Sequence, residues 1–172
     1  MSKSTKIIIT AAFLCVLGLI GGLIFEHYIS SYDKVSDPGD FVVQDASGKD
    51  VALSDLKGKP VLINFAASWC TYCKQEMPDI QKAYEKYGDD VQFMIIDAVG
   101  QSGETKAKFV KLIKTGGYTF PVYYDNKQSA LEAFAVTSYP QTYFINKNGK
   151  LVDQTLGATN FSDLETQIKA LL

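Results

Sequence analysis

The chain has 172 residues, 47% of them hydrophobic and 21% charged, with a formal net charge of −2. That balance excludes the basic surface of a nucleic-acid binder, and three cysteines in a chain of this length exclude a mini-protein stapled by disulfides. With a single histidine, His27, few side chains besides the cysteines can carry chemistry.

Lys3 and Lys6 precede an uncharged run from Ile7 to Phe25, which Glu26 and His27 end. About 19 apolar or small residues are just enough to cross a hydrocarbon core of roughly 30 Å. The flanking charges predict an N-terminus inside and a domain outside the membrane. The competing reading is a cleaved signal peptide. Its apolar region would be shorter, and a small-x-small site would follow where Glu26-His27-Tyr28-Ile29-Ser30 stands. A lipoprotein signal would put a small residue before Cys15, where Leu14 stands; Cys15 reads as an apolar residue within the segment. The expected organisation is therefore a cytoplasmic tip and transmembrane anchor over 1–29, a polar linker over 30–40 and one folded domain over 41–172.

Within the domain, Phe41–Gln44 and Val51–Leu53 flank Asp45-Ala46-Ser47-Gly48-Lys49-Asp50, a hairpin signal. Ser54–Leu56 predicts a short helical turn ended by Gly58. Val61–Ala67 is a near-continuous apolar run, as expected of a strand buried on both faces. Residues 71–87 predict a helix interrupted by Pro78. Val91–Ile96 predicts a second central strand, and Glu104–Lys114 a helix closed by Gly116-Gly117. A short strand at Phe120–Asp125 and a short helix at Ser129–Ala135 follow. Gln141–Asn146 and Leu151–Thr155 predict an antiparallel hairpin. Asn160 or Ser162 caps a last helix with Phe161, Leu164, Ile168, Leu171 and Leu172 on its apolar side. Strand–helix–strand, then a hairpin and a helix, gives an α/β layout with a mixed sheet.

The motif that carries chemistry is Trp69-Cys70-Thr71-Tyr72-Cys73, directly after the Val61–Ala67 strand. A C-x-x-C pair where a buried strand meets a helix is the arrangement of a dithiol–disulfide exchange site. At a helix N-terminus, unpaired N–H groups and the helix dipole favour the Cys70 thiolate. Cys73, nearly a turn further on, is expected to be less exposed and to act as the resolving thiol. A purely structural disulfide here would close too small a loop to stabilise much. Haem attachment requires His after the second cysteine, where Lys74 stands, and a zinc site lacks a second ligand pair. No metal and no cofactor beyond the Cys70–Cys73 disulfide is expected.

This order of elements, the W-C-x-x-C and Ser138-Tyr139-Pro140 before the Gln141 strand resemble the thioredoxin fold. The leading hairpin, Leu53-Ser54-Asp55-Leu56-Lys57-Gly58-Lys59-Pro60, Cys73-Lys74-Gln75-Glu76-Met77-Pro78, the helix before Phe120-Pro121-Val122 and Asn146–Val152 resemble its membrane-anchored TlpA/ResA branch. The resemblance implies a thioredoxin-like fold with an N-terminal β-hairpin extension and a central βα insertion. It implies that Pro140 is the family's cis-proline opposite the cysteines, and that the Tyr139 backbone pairs with an extended substrate. Trp69, Thr71 and Tyr72 complete the implied substrate surface, with Trp69 packed over the pair and Thr71-Tyr72 tuning the potential. Glu76 matches the branch's carboxylate near the cysteines, a candidate proton mediator, although a solvated helix glutamate has the same signature. Asn64 stands where thioredoxin carries a buried aspartate, and an amide cannot act as a general base. Ala66 replaces an aromatic often found there.

The implied function is an extracytoplasmic thiol–disulfide oxidoreductase, a monomer on a single-pass anchor in the cell membrane. It exchanges electrons with proteins bearing thiols or disulfides and is recharged by a membrane redox partner. Reduction, as in TlpA/ResA proteins, is favoured over DsbA-like oxidation. A Sco-like copper chaperone shares the fold, but the domain lacks the distal histidine it would need.

Overall fold

The computed structural model describes residues 38–172. The expected membrane segment Ile7–Phe25, and the linker up to residue 37, lie outside the described residues; within them, no helix is long and apolar enough to cross a membrane. Seven strands form one mixed sheet: β1 (Val42–Gln44), β2 (Asp50–Ala52), β3 (Val61–Ala66), β4 (Gln92–Asp97), β5 (Val122–Tyr124), β6 (Gln141–Ile145) and β7 (Leu151–Leu156). Their spatial order is β2-β1-β5-β4-β3-β6-β7. Four helices accompany them: α1 (Thr71–Tyr87), α2 (Lys106–Gly116), α3 (Ser129–Ala133) and α4 (Phe161–Leu171).

The centre of the sheet is β5-β4-β3, all parallel, with α1 and α2 as the crossovers. Every residue of β3 is buried, which its unbroken apolar run requires of a strand covered on both faces. Antiparallel β6 sets Phe65 opposite Gln141, so Tyr139-Pro140 enters the sheet at the end where β3 delivers Trp69 and Cys70. The hairpin β1-β2 joins the other side through the pairing of Gln44 with Tyr124.

Side-chain alternation gives the two faces different contents. Asn64 reaches α1, and the registers Asn64–Thr142, Ala66–Asp97 and Asp97–Tyr124 put Thr142, Asp97 and Tyr124 on that same face. Phe65 points to the other face. There it meets Phe134 edge-on at 5.5 Å and Tyr143 at 5.8 Å, and Phe41 of the hairpin packs on Phe134 at 5.7 Å. One face thus carries the Phe41–Phe65–Phe134–Tyr143 cluster, and the other, under α1, carries buried Asn64, Thr142 and Asp97 beside Phe93 and Phe144.

Element boundaries differ from the sequence expectation where a cap decides them. Leu53 opens the 3-10 turn rather than extending β2. The second helix begins at Lys106, because the Thr105 hydroxyl accepts the Lys108 N–H, so Glu104 lies before it. Gly117, at φ +70°, ends that helix in the left-handed conformation that glycine adopts without strain. Asn160, not Ser162, caps α4: its Oδ1 accepts from Asp163 N at 3.1 Å. Leu164 and Ile168 of that helix are buried, but the final Leu172 is 62% exposed and does not belong to the apolar side. Pro78 is inside α1, with its ring on the exposed side.

Candidate active site

Ala67–Cys70 is a tight turn, closed by Cys70 N–H donating to the Ala67 carbonyl. It delivers Cys70 to the N-cap position of α1, where its Sγ accepts from Cys73 N–H at 3.0 Å. The two cysteines form a disulfide with Cα atoms 5.3 Å apart. Cys70 is 5% exposed and Cys73 is fully buried, so an incoming sulfur can reach Cys70 first. Free N–H groups and the positive end of the helix dipole at this position stabilise a thiolate on Cys70 once the bond opens.

Glu76, one turn after Cys73 on the same helix face, is buried to 1% exposure, which rules out the solvated alternative. Its Oε1 accepts from Asn64 Nδ2 at 2.8 Å and its Oε2 from Thr159 N–H at 3.0 Å. The same Asn64 amide donates to Thr142 Oγ1 at 3.0 Å. Burial pushes the Glu76 carboxyl up to about 7, against the pull of those two donors. A carboxyl titrating there can both hold and release a proton near neutral pH. Asn64 is no base itself; its amide fixes the orientation of the Glu76 carboxyl.

The Tyr139-Pro140 peptide bond is cis, and Pro140 is buried. Trp69 is 44% exposed. It stands edge-on to Tyr139 with ring centroids 5.6 Å apart, and its indole N–H donates to the Gln101 carbonyl at 3.1 Å. Thr71 is exposed and Tyr72 is 64% exposed. Leu156, paired with Gln141 at the same sheet end, is likewise 64% exposed. Trp69, Thr71 and Tyr72 thus flank the cysteines in sequence and are open to solvent.

Two buried carboxyls here escaped the sequence reading. Asp97 ends β4, is fully buried, and neither of its oxygens has a hydrogen-bond partner. Burial, with the nearby Glu104 charge adding to it, raises its carboxyl to about 8, so Asp97 is neutral at pH 7. Glu104, 2% exposed, accepts from the backbone N–H of Ser68 and lies 2.8 and 2.9 Å from Ser68 Oγ. Tyr139 is held up to about 12 by burial, with Asp125 and Asp97 contributing. No sequence signal marked Asp97, since an aspartate ending an apolar strand reads as the start of a loop. The helical pattern in the sequence takes in Glu104, which the structure places before the Thr105 cap. Among the described residues, no three His, Cys, Asp or Glu side chains gather as a metal-binding group.

Comparison with known proteins agrees with this geometry. The model of the AhpC/TSA family matches residues 36–154. The chain is similar to the thiol-disulfide oxidoreductase ResA of Bacillus subtilis (strain 168), 33% identical over 91% of this chain and 88% of that protein. The ResA of Bacillus thuringiensis (strain Al Hakam) is 30% identical over 98% of both. Among solved structures, the pneumococcal exposed lipoprotein thioredoxin Etrx1 of Streptococcus pneumoniae strain TIGR4 superposes with a TM-score of 0.69. It is 36% identical, over 77% of this chain and all of that one. StoA of Bacillus subtilis, at 24% identity, shares the fold with a TM-score of 0.67 over 76% of this chain and 96% of that one.

Proposed function

As this chain belongs to the AhpC/TSA family and is a thiol–disulfide oxidoreductase of thioredoxin-like fold, we propose that Cys70 attacks, Cys73 resolves and Glu76 handles the proton between them. The direction we favour is reduction of protein disulfides. The Cys70 thiolate attacks a substrate disulfide, forming a Cys70–substrate bond and releasing one substrate thiolate. Glu76 takes the Cys73 proton. The Cys73 thiolate then attacks the Cys70 sulfur, closing the Cys70–Cys73 disulfide and releasing the second substrate sulfur. The protons end on the substrate thiols, and a membrane dithiol donor returns the two electrons.

The observation that carries this proposal is the graded burial of the pair at the α1 N-cap, with a buried carboxyl one turn below Cys73. Trp69, Thr71, Tyr72, Tyr139 and Pro140 form the substrate surface in this scheme, with the Tyr139 backbone pairing with an extended segment. The charge flanks of Ile7–Phe25 support a single-pass anchor that holds a monomeric domain outside the cytoplasm, where disulfides persist.

Trapping tests the roles. Cys73→Ala is expected to accumulate mixed disulfides through Cys70, identifiable by mass spectrometry. Equal trapping of the same partners by Cys70→Ala would sink the assignment. Equilibration with glutathione tests the direction. A potential near or below about −270 mV fits a reductant, and one near about −120 mV would assign the domain to oxidation instead.

A further inference from the structure

Directly behind the cysteine turn, the segment from Ala98 to Glu104 closes on itself. Gln101 N–H donates to the Ala98 carbonyl at 3.1 Å, Glu104 N–H to Gln101 O at 2.8 Å, and Gly100 N–H to Glu104 O at 3.1 Å. Ser102 sits in the left-handed region at φ 48°, a conformation uncommon for a residue with a side chain, so the surrounding bonds must hold it. The loop touches the cysteine turn at two points. The Glu104 carboxylate takes the Ser68 N–H and hydroxyl, together with its neighbour Thr105 N–H at 3.0 Å. The Gln101 carbonyl takes the Trp69 indole N–H.

The turn cannot satisfy these groups internally. Its one backbone bond uses Cys70 N–H, which leaves Ser68 N–H without a partner inside the turn. A carboxylate meets that need better than a neutral acceptor, because charge-assisted bonds are about twice as strong. Glu104 has its donors here, and Asp97 has none among the described residues.

We propose that Glu104 is a positioning residue for the exchange reaction: by anchoring Ser68 it fixes the turn that presents Cys70 and sets the stance of Trp69 against Tyr139. It touches no reacting sulfur. Its effect is on how a protein substrate is received, and it rests on the redox reading above.

Trp69 is the chain's only tryptophan, so its emission reports this turn without interference. In the full chain, Glu104→Gln is expected to about double the acrylamide quenching constant of Trp69. With dithiothreitol as electron source, kcat/KM for insulin disulfides is expected to fall about tenfold, mostly through KM. A purely structural staple predicts a lower melting temperature with quenching and kcat/KM unchanged in the folded variant, and either value left unchanged overturns the proposal. If Glu104→Gln does not fold, Ser68→Ala, which removes only the hydroxyl contact, is read by the same two criteria. An unaltered protein inactive on insulin would instead count against the redox reading, and quenching alone would then decide the positioning.

Discussion

The chemistry rests on residues whose identity and environment carry different amounts of information. Cys70 and Cys73 stood out by spacing, because the two-residue gap after a buried strand admits few other uses, whereas Pro140 came only through the family resemblance. The structure gives the pair a disulfide and the Tyr139-Pro140 bond as cis. Glu76 was legible as a position but not as a state, since a helical glutamate reads alike in water or buried. Only Asn64, Thr142 and Thr159, brought in from three other parts of the chain, decide it. With its carboxyl raised from 4.5 to about 7, the stability it favours is full below about pH 4.5 and lost as pH rises through 7. Glu76→Gln is therefore expected to flatten the stability profile between those values. In stopped-flow it should slow closure of the Cys70–Cys73 bond by roughly 100-fold and abolish its pH dependence near 7. Asp97 follows the same sign over a wider window, from about 3.8 to about 8. Asp97→Asn should raise the melting temperature at pH 8 and leave it nearly unchanged at pH 4, as read by calorimetry.

At the scale of elements, hydrophobic period, length and turn signals located the seven strands and four α-helices but not the 3-10 turn at Gln101–Gly103, and side-chain caps set several of their ends. Helix α4 shows the effect: Asn160 Oδ1 holds Asp163 N–H while Asn160 Nδ2 donates to Asp163 Oδ2 at 2.8 Å. The helix then docks on α1 through Glu165, which meets Lys86 Nζ at 2.6 Å and accepts from Tyr87 Oη at 2.7 Å. These bonds pull the Glu165 carboxyl down to about 2, so their support persists at neutral pH and is lost as pH falls from about 4.5 toward 2. Asn160→Ala is expected to cost about 1 kcal/mol in chemical denaturation. Because α4 also frames the loop holding Thr159, the same variant should loosen the Glu76 site while leaving Cys70 reactivity intact.

For the whole molecule, a mixed α/β sheet followed from the alternation of strands and helices and its thioredoxin-like topology from the family resemblance, but the division between sheet faces followed from neither. Phe65 and Asn64 are neighbours in sequence, and only the registers reveal that one joins an aromatic cluster and the other a polar network. Phe134 is the keystone of the aromatic side, touching Phe41, Phe65 and Tyr143. Phe134→Ala is expected to cost about 3–5 kcal/mol, measured in urea, and to free the β1-β2 hairpin first, while the reduction potential stays unchanged.

The unequal faces of the sheet give alkaline stress a direction. Above about pH 8, the side beneath α1 has to accommodate new negative charge on Asp97 beside Glu104. The opposite side, at the contacts among Phe41, Phe65 and Phe134, has no carboxyl in the cluster itself. Loosening is thus expected to begin around α1 and the cysteine turn, with β1, β2 and the aromatic cluster still closed. Amide exchange at rising pH, corrected for intrinsic rates, would register this as protection lost in residues 68–76 before residues 41–44. The segment most exposed to alkaline damage would be the one that carries the redox pair.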